Sequence, residues 1–161
     1  MKTLLILRHA KSSWKDTEMP DHERLLNKRG KNEAPQVGKY LREQGLMPDL
    51  ILSSTAKRAQ ATVNLVVKAC SYEDKVEYRD DFYPGDPRAY ITVLHTILEE
   101  HMRVMVVGHN PALEELLQTL TGRTETIPTA GLVQVSLPIQ TWHELDYETR
   151  GELVALWQPV K

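Results

Sequence analysis

At 161 residues, 41% hydrophobic and 26% charged, the chain is long enough for one domain with a sizeable core, residues 1–161, and not for two. A formal net charge of -2 argues against a generic polyanion binder, so no nucleic acid and no membrane surface is expected as a partner. The single Cys70 excludes an internal disulfide, and no apolar run approaches the roughly 20 residues needed to span a bilayer. The apolar run near the N-terminus is too short for a signal sequence, so a cytoplasmic protein is expected.

Residues 3–7 (TLLIL) predict a buried strand that ends in Arg8-His9-Ala10. Residues 11–29 are polar, charged and broken by Pro20; they read as a long loop, and loops of that length are often functional. Helical spacing over 30–44 puts Val37, Tyr40 and Leu41 on one face. Pro35 then fits only in the first turn, and Gly45 is the expected residue just past the helix. Residues 49–52 predict a second buried strand. A helix over 56–69 follows, with Ala59, Val63, Val66 and Val67 inward and Ser53, Ser54 or Thr55 as its N-cap; Cys70 is a small core residue at its end.

A weak third strand is expected at 75–78, then turns over 81–87, then a helix over 88–100 with Tyr90, Ile91, Leu94 and Leu98 inward. The strand 103–107 ends in Gly108-His109-Asn110-Pro111. Asn110 is placed to cap the next helix, with Pro111 at its first position, and that helix stops at Gly122. Residues 132–137 and 152–157 predict two further strands, at least one antiparallel, with a short strand within 141–147 between them. The order predicts an α/β three-layer sandwich: a mostly parallel sheet with helices on both faces and an antiparallel edge strand.

Ligands of open parallel sheets bind at the carboxyl ends of the strands. Of the six histidines, only His9 and His109 share such a place, each just past a buried strand. A neutral imidazole attacks phosphorus when one nitrogen is free and the other is held by an acceptor. An arginine cluster favours that neutral form, and arginine supplies two donors in a planar fork to a tetrahedral dianion. Arg8 adjoins His9, Arg58 lies on the first turn of the second helix, and Arg24 lies in the long loop. Most surface arginines only solvate a face, and position after a strand is what singles out Arg8 and Arg58. No HxH, HExxH or Cys/His metal-ligand spacing occurs, and neither GxxxxGK[ST] nor GxGxxG is present, so neither a metal nor an organic cofactor is expected.

Three motifs in order, each after a strand, carry a resemblance: Arg8-His9-Ala10, Ser53-Ser54-x-x-x-Arg58-Ala59-x-x-Thr62, and Gly108-His109-Asn110-Pro111. Together they resemble the histidine phosphatase superfamily, the phosphoglycerate mutase-like proteins, over nearly the whole chain. Asp21-x-x-Arg24-Leu25-Leu26-x-x-Arg29-Gly30 and the lack of cap insertions are similar to the small SixA-type phosphohistidine phosphatases, with Leu25 where that group usually carries proline. The resemblance implies His9 as the phosphorylated nucleophile, with Arg8, Arg58 and His109 as the phosphate pocket and Arg24 as a further ligand. Ser12 matches a small polar position of some members.

Relatives that cleave alkyl phosphates carry an acidic residue in a later loop as general acid. Asp81 is the candidate by position, with Asp80 and Asp86 as rivals. An imidazole leaving group, with a conjugate-acid pKa of about 6.5, needs little help from an acid, whereas an alkoxide does. The expected protein is therefore a metal-independent phosphatase acting through a phosphohistidine intermediate on phosphohistidine of a protein. The competing readings are a phosphatase or mutase of a small phosphoester, and a non-catalytic module that binds a phosphorylated ligand.

Overall fold

A computed structural model describes residues 1–15 and 18–160. Residues 16 and 17 of the expected 11–29 loop, and residue 161, lie outside the described residues. The elements are β1 (Lys2–Arg8), α1 (Lys28–Glu43), β2 (Leu50–Ser54), α2 (Lys57–Cys70), β3 (Lys75–Arg79), α3 (Pro87–Leu94), β4 (Arg103–Gly108), α4 (Ala112–Thr121), β5 (Leu132–Leu137) and β6 (Glu152–Trp157), with 3-10 turns at Asp21–Glu23, Asp80–Phe82 and Trp142–Glu144. They build a six-stranded sheet in the order β3-β2-β4-β1-β5-β6. The first four in that order are mutually parallel; β5 runs against β1, and β6 against β5. The expected antiparallel strand is thus β5, one in from the edge, with β6 closing the sheet.

Alternation along the central strands explains the three layers. Leu4, Ile6, Leu50, Leu52, Val104 and Val106 face one core with Tyr90, Ile91 and Leu94 of α3 and Leu113, Leu116 and Leu117 of α4. Their neighbours Leu5, Leu7, Ile51, Met105 and Val107 face the other core with Val37 and Leu41 of α1 and Val63 and Val66 of α2. Strands buried on both faces read as unbroken apolar runs, which is why β1 and β4 stand out in the sequence.

Local expectations fail where tertiary contacts win. Pro35 sits mid-helix in α1, where it removes the amide that Lys31 would receive, yet the helix continues because Ala34, Val37, Gly38 and Leu41 are buried. Gln44 and Gly45 end it as expected, with Gly45 at φ 65 and Leu46 N–H donating to the Leu41 carbonyl. No side chain caps α2; Ser54 Oγ instead accepts from Ala56 N–H. Helix α3 stops at Leu94, where the following His95 ring meets the Leu145 carbonyl at 3.0 Å, so Leu98 is exposed and not inward. Asn110 does not cap α4; its amide reaches Glu114 and the Ile127 carbonyl, and Pro111 is the residue before the helix. Residues 141–147 form no strand: Thr141 and Glu144 close a capping box around a 3-10 turn that buries Trp142.

Candidate active site

Strands β1 and β4 are adjacent and parallel, with Arg8 opposite Gly108 and His9 N–H donating to the Gly108 carbonyl at 3.1 Å. The two strands therefore end side by side and set the His9 and His109 rings 5.1 Å apart, centroid to centroid. Strand β2 lies next to β4 and runs into the first turn of α2, which carries Arg58. Thr62 clamps that turn to β1: its hydroxyl accepts from Ala10 N–H and donates to the Arg58 carbonyl. Gly108 is required here, because a Cβ would lie 1.8 Å from the buried Tyr90 hydroxyl. The 3-10 turn at Asp21–Glu23 folds over α2 and adds Asp21 and Arg24. These six residues (Arg8, His9, Asp21, Arg24, Arg58 and His109) all line one cavity of about 470 Å³.

The protonation state of His9 follows from its surroundings. Its Nδ1 lies 2.8 Å from the Ala10 carbonyl, which only accepts, so Nδ1 carries the hydrogen and Nε2 a lone pair. Burial foremost, then the neighbouring His109, Arg58 and Arg8, push its pKa down to about 3, against the pull of the Ala10 bond. His109 is held down to about 4, by burial and then by Arg58, with Asp21 opposing. Its Nε2 is 2.7 Å from Ser54 Oγ. That oxygen also accepts from Ala56 N–H, and a Ser54 hydroxyl that donates to Nε2 would leave the imidazole hydrogen on the buried Nδ1.

The arginines are fixed by one edge each. Arg8 donates from Nη1 to the Ile127 carbonyl. Arg24 donates from Nε to Asp21 Oδ1 and lies against the Trp14 ring. Arg58 forks onto Asp21, from Nη1 to its carbonyl and from Nη2 to Oδ2. Tyr83 Oη donates to the same Oδ2 at 2.6 Å. Arg8 Nε, Arg24 Nη1, Arg58 Nε and His109 Nδ1, all in residues that line the cavity, are buried without a protein partner. An unmet buried donor costs about 1–3 kcal/mol, more when charged. Three guanidiniums gathered around one cavity suit an anion with several acceptor oxygens.

Asp81 is not brought to this wall. Its carboxylate is paired with Arg79 at 3.0 Å on the surface, so the expected general acid is displaced by a local ion pair. Asp86 is likewise engaged, capping α3 and pairing with Arg88, and Asp80 does not line the cavity. Ser12 does line it, buried beside the Leu26 bridge. Asp21 and Tyr83 went unassigned in the sequence. The three-residue spacing from Asp21 to Arg24 was a usable signal for the first, and Tyr83 had none.

Two readouts test the electrostatics. The His9 and His109 ring nitrogens, followed by NMR, will not titrate between about pH 5 and 8; a midpoint near the ordinary 6.5 for either would contradict the geometry. Both folded pKa values lie below the unfolded one, so the unfolded chain binds more protons. Their contribution to stability is complete above pH 6.5 and is lost as pH falls toward 4 and then 3. Asp21, held down to about 2, extends the loss in the same direction. Denaturation midpoints will drop from pH 7 to pH 5, and less so in His9→Asn.

A doubly covered α/β sheet with a neutral imidazole among three arginines at its carboxyl edge has the chemistry of a phosphoryl-transfer site. Residues 4–83 match the model of the histidine phosphatase superfamily (branch 1), and the chain belongs to that superfamily. An uncharacterized protein of Mycobacterium leprae is 31% identical over 166 residues, covering 95% of this chain and 99% of the relative. Among solved structures, a protein of Agrobacterium tumefaciens provisionally assigned as the phosphohistidine phosphatase SixA is 27% identical, with a TM-score of 0.82 over 98% of this chain and 99% of its own. The protein histidine phosphatase SixA complexed with tungstate shares the fold at 21% identity, with a TM-score of 0.83 over 98% of this chain and 97% of its own. The chain shares its fold with both SixA structures.

Proposed function

We propose that residues 1–161 form one metal-independent phosphatase domain that removes phosphate from phosphohistidine on a protein, by way of a phosphohistidine formed at His9. The observation that carries the proposal is the neutral His9, with a lone pair on Nε2, in one cavity with Arg8, Arg24, Arg58 and His109. His9 Nε2 attacks phosphorus, and the bond to the leaving group breaks with its electron pair going to that group. Arg8, Arg24, Arg58 and His109 hold the phosphoryl oxygens as charge shifts onto them. Water then attacks the phosphorylated His9, releasing inorganic phosphate and restoring the imidazole. Three guanidiniums meet the charge that a metal would otherwise neutralise.

The choice of substrate is supported by the wall's chemistry. Asp81 is paired with Arg79 and Asp21 is held ionised, so among the described residues that line the cavity no carboxylic acid stands ready to protonate an alkoxide. Trp14 lines the cavity and is exposed, as suits a protein surface approaching it. The oxyanion in the SixA complex fits the same picture. Among the described residues, no helix is long and apolar enough to cross a membrane.

Rates on a phosphohistidine protein, an aryl phosphate and several sugar phosphates, measured side by side with and without chelator, test the reading. Phosphohistidine is expected to give the highest kcat/KM, chelator to leave it unchanged, and denaturing quench of labelled substrate to trap an acid-labile phosphoenzyme. A sugar phosphate with the higher kcat/KM would overturn the substrate. Failure to trap any adduct under single-turnover conditions would overturn the covalent route and favour a binding module.

A further inference from the structure

Asp21 is the one carboxylate lining the cavity among the described residues. It is woven between two candidate phosphate ligands, Arg24 and Arg58, on the cavity wall. Its two oxygens are unequally used. Oδ2 receives Arg58 and Tyr83, whereas Oδ1 receives Arg24 alone. A carboxylate oxygen accepts about two hydrogen bonds, so Oδ1 keeps a free lone pair on a side chain that is 47% exposed.

We propose that Asp21 recognises the leaving imidazole, its ionised carboxylate accepting a hydrogen bond from the ring nitrogen that does not carry phosphorus. The proposal presupposes the phosphohistidine substrate put forward above. When His9 Nε2 bonds to phosphorus, the phosphorus–nitrogen bond breaks and its electron pair stays on the ring nitrogen. A ring already protonated on its other nitrogen leaves as neutral imidazole, with no further proton required. A ring without that proton would leave as an anion. The proton is therefore one to be kept on the substrate, not delivered to it, and a permanently ionised acceptor does this where a carboxylic acid would not.

The surroundings keep Asp21 in that form. The Tyr83 hydroxyl first, then Arg58 and Arg24, hold its pKa near 2. The other titratable groups facing it are His109, which is neutral, and His22, whose ring packs on Tyr83 and meets Thr55 Oγ1 at 3.1 Å. The same carboxylate disfavours phosphoesters that bear a carboxylate of their own next to the phosphate.

Asp21→Asn keeps the shape and removes the charge. Its kcat/KM on a phosphohistidine protein is expected to fall about 10- to 100-fold further than on an aryl phosphate. The alkaline limb of kcat will move to lower pH for phosphohistidine alone. Equal losses on the two substrates, with no movement of the limb, would show that Asp21 only positions the arginines and would overturn the proposal. Asp21→Ser gives the same comparison if the asparagine variant is unstable, and competitive inhibition by inorganic phosphate reports whether the anion pocket survives. One readout needs no variant: in the wild type, the alkaline limb of kcat should lie above the ring pKa of the free phosphohistidine substrate, and coincidence of the two would overturn the proposal. Wild-type enzyme that leaves phosphohistidine intact would instead remove the substrate reading itself, before any variant is made.

Discussion

His9→Ala will abolish turnover, by a factor on the order of 10⁵–10⁶, since removal of a nucleophile from an assembled site costs about that much. Among the described residues, no other imidazole on the wall offers a free lone pair in its place. His109 is the nearest imidazole, but its Nε2 is engaged with Ser54 and its Nδ1 is a donor in the same arrangement. The fold should survive in His9→Asn, whose amide can still donate to the Ala10 carbonyl that now receives Nδ1–H. A thermal melt near that of the wild type, together with no trapped phosphoenzyme, is the expected pair of results. Retention of a tenth of the wild-type rate in His9→Ala would end the covalent mechanism.

Arg58→Ala will cost about 10²–10³-fold in kcat/KM, the range for loss of a preorganised donor to developing negative charge. Arg58 is nearly buried and makes two bonds to Asp21 while its Nε stays unpartnered. The substitution therefore removes a ligand and loosens the turn that carries Arg24. Arg58→Lys is expected to recover little, because an ammonium cannot fork onto the Asp21 carbonyl and carboxylate while presenting a third donor to phosphate. Full activity in the lysine variant would mean that only the charge matters.

Much of this arrangement is legible in the residues, and the exceptions have physical causes. His9 and His109 are marked by the buried apolar runs before them, and Arg58 by its distance from the end of the second run, because strand tips are the places a chain delivers side chains to a sheet edge. Asp81 was marked by order along the chain alone, which does not report where a side chain goes when an arginine two residues away competes for it. Asp21 depends on a turn folding across α2, a contact 37 residues long in sequence that no local pattern encodes. Leu98 fits the helical period of α3 but falls beyond the point where the His95 ring meets the Leu145 carbonyl, so periodicity alone overextends the helix.

The pairing of Arg8 with Gly108 has a consequence for how such a protein can diverge. The separation of the two imidazoles, 5.1 Å, matches the spacing of neighbouring strands, about 4.8 Å. The placement of His9 and His109 is thus inherited from the hydrogen-bonded ladder at the centre of the sheet, while Asp21, Arg24 and Trp14 hang from a surface segment before α1. Insertions and substitutions in that segment can retune what enters the site at small cost to the core, leaving the nucleophile where it was. Selection on substrate and selection on foldability act on separate parts of the chain.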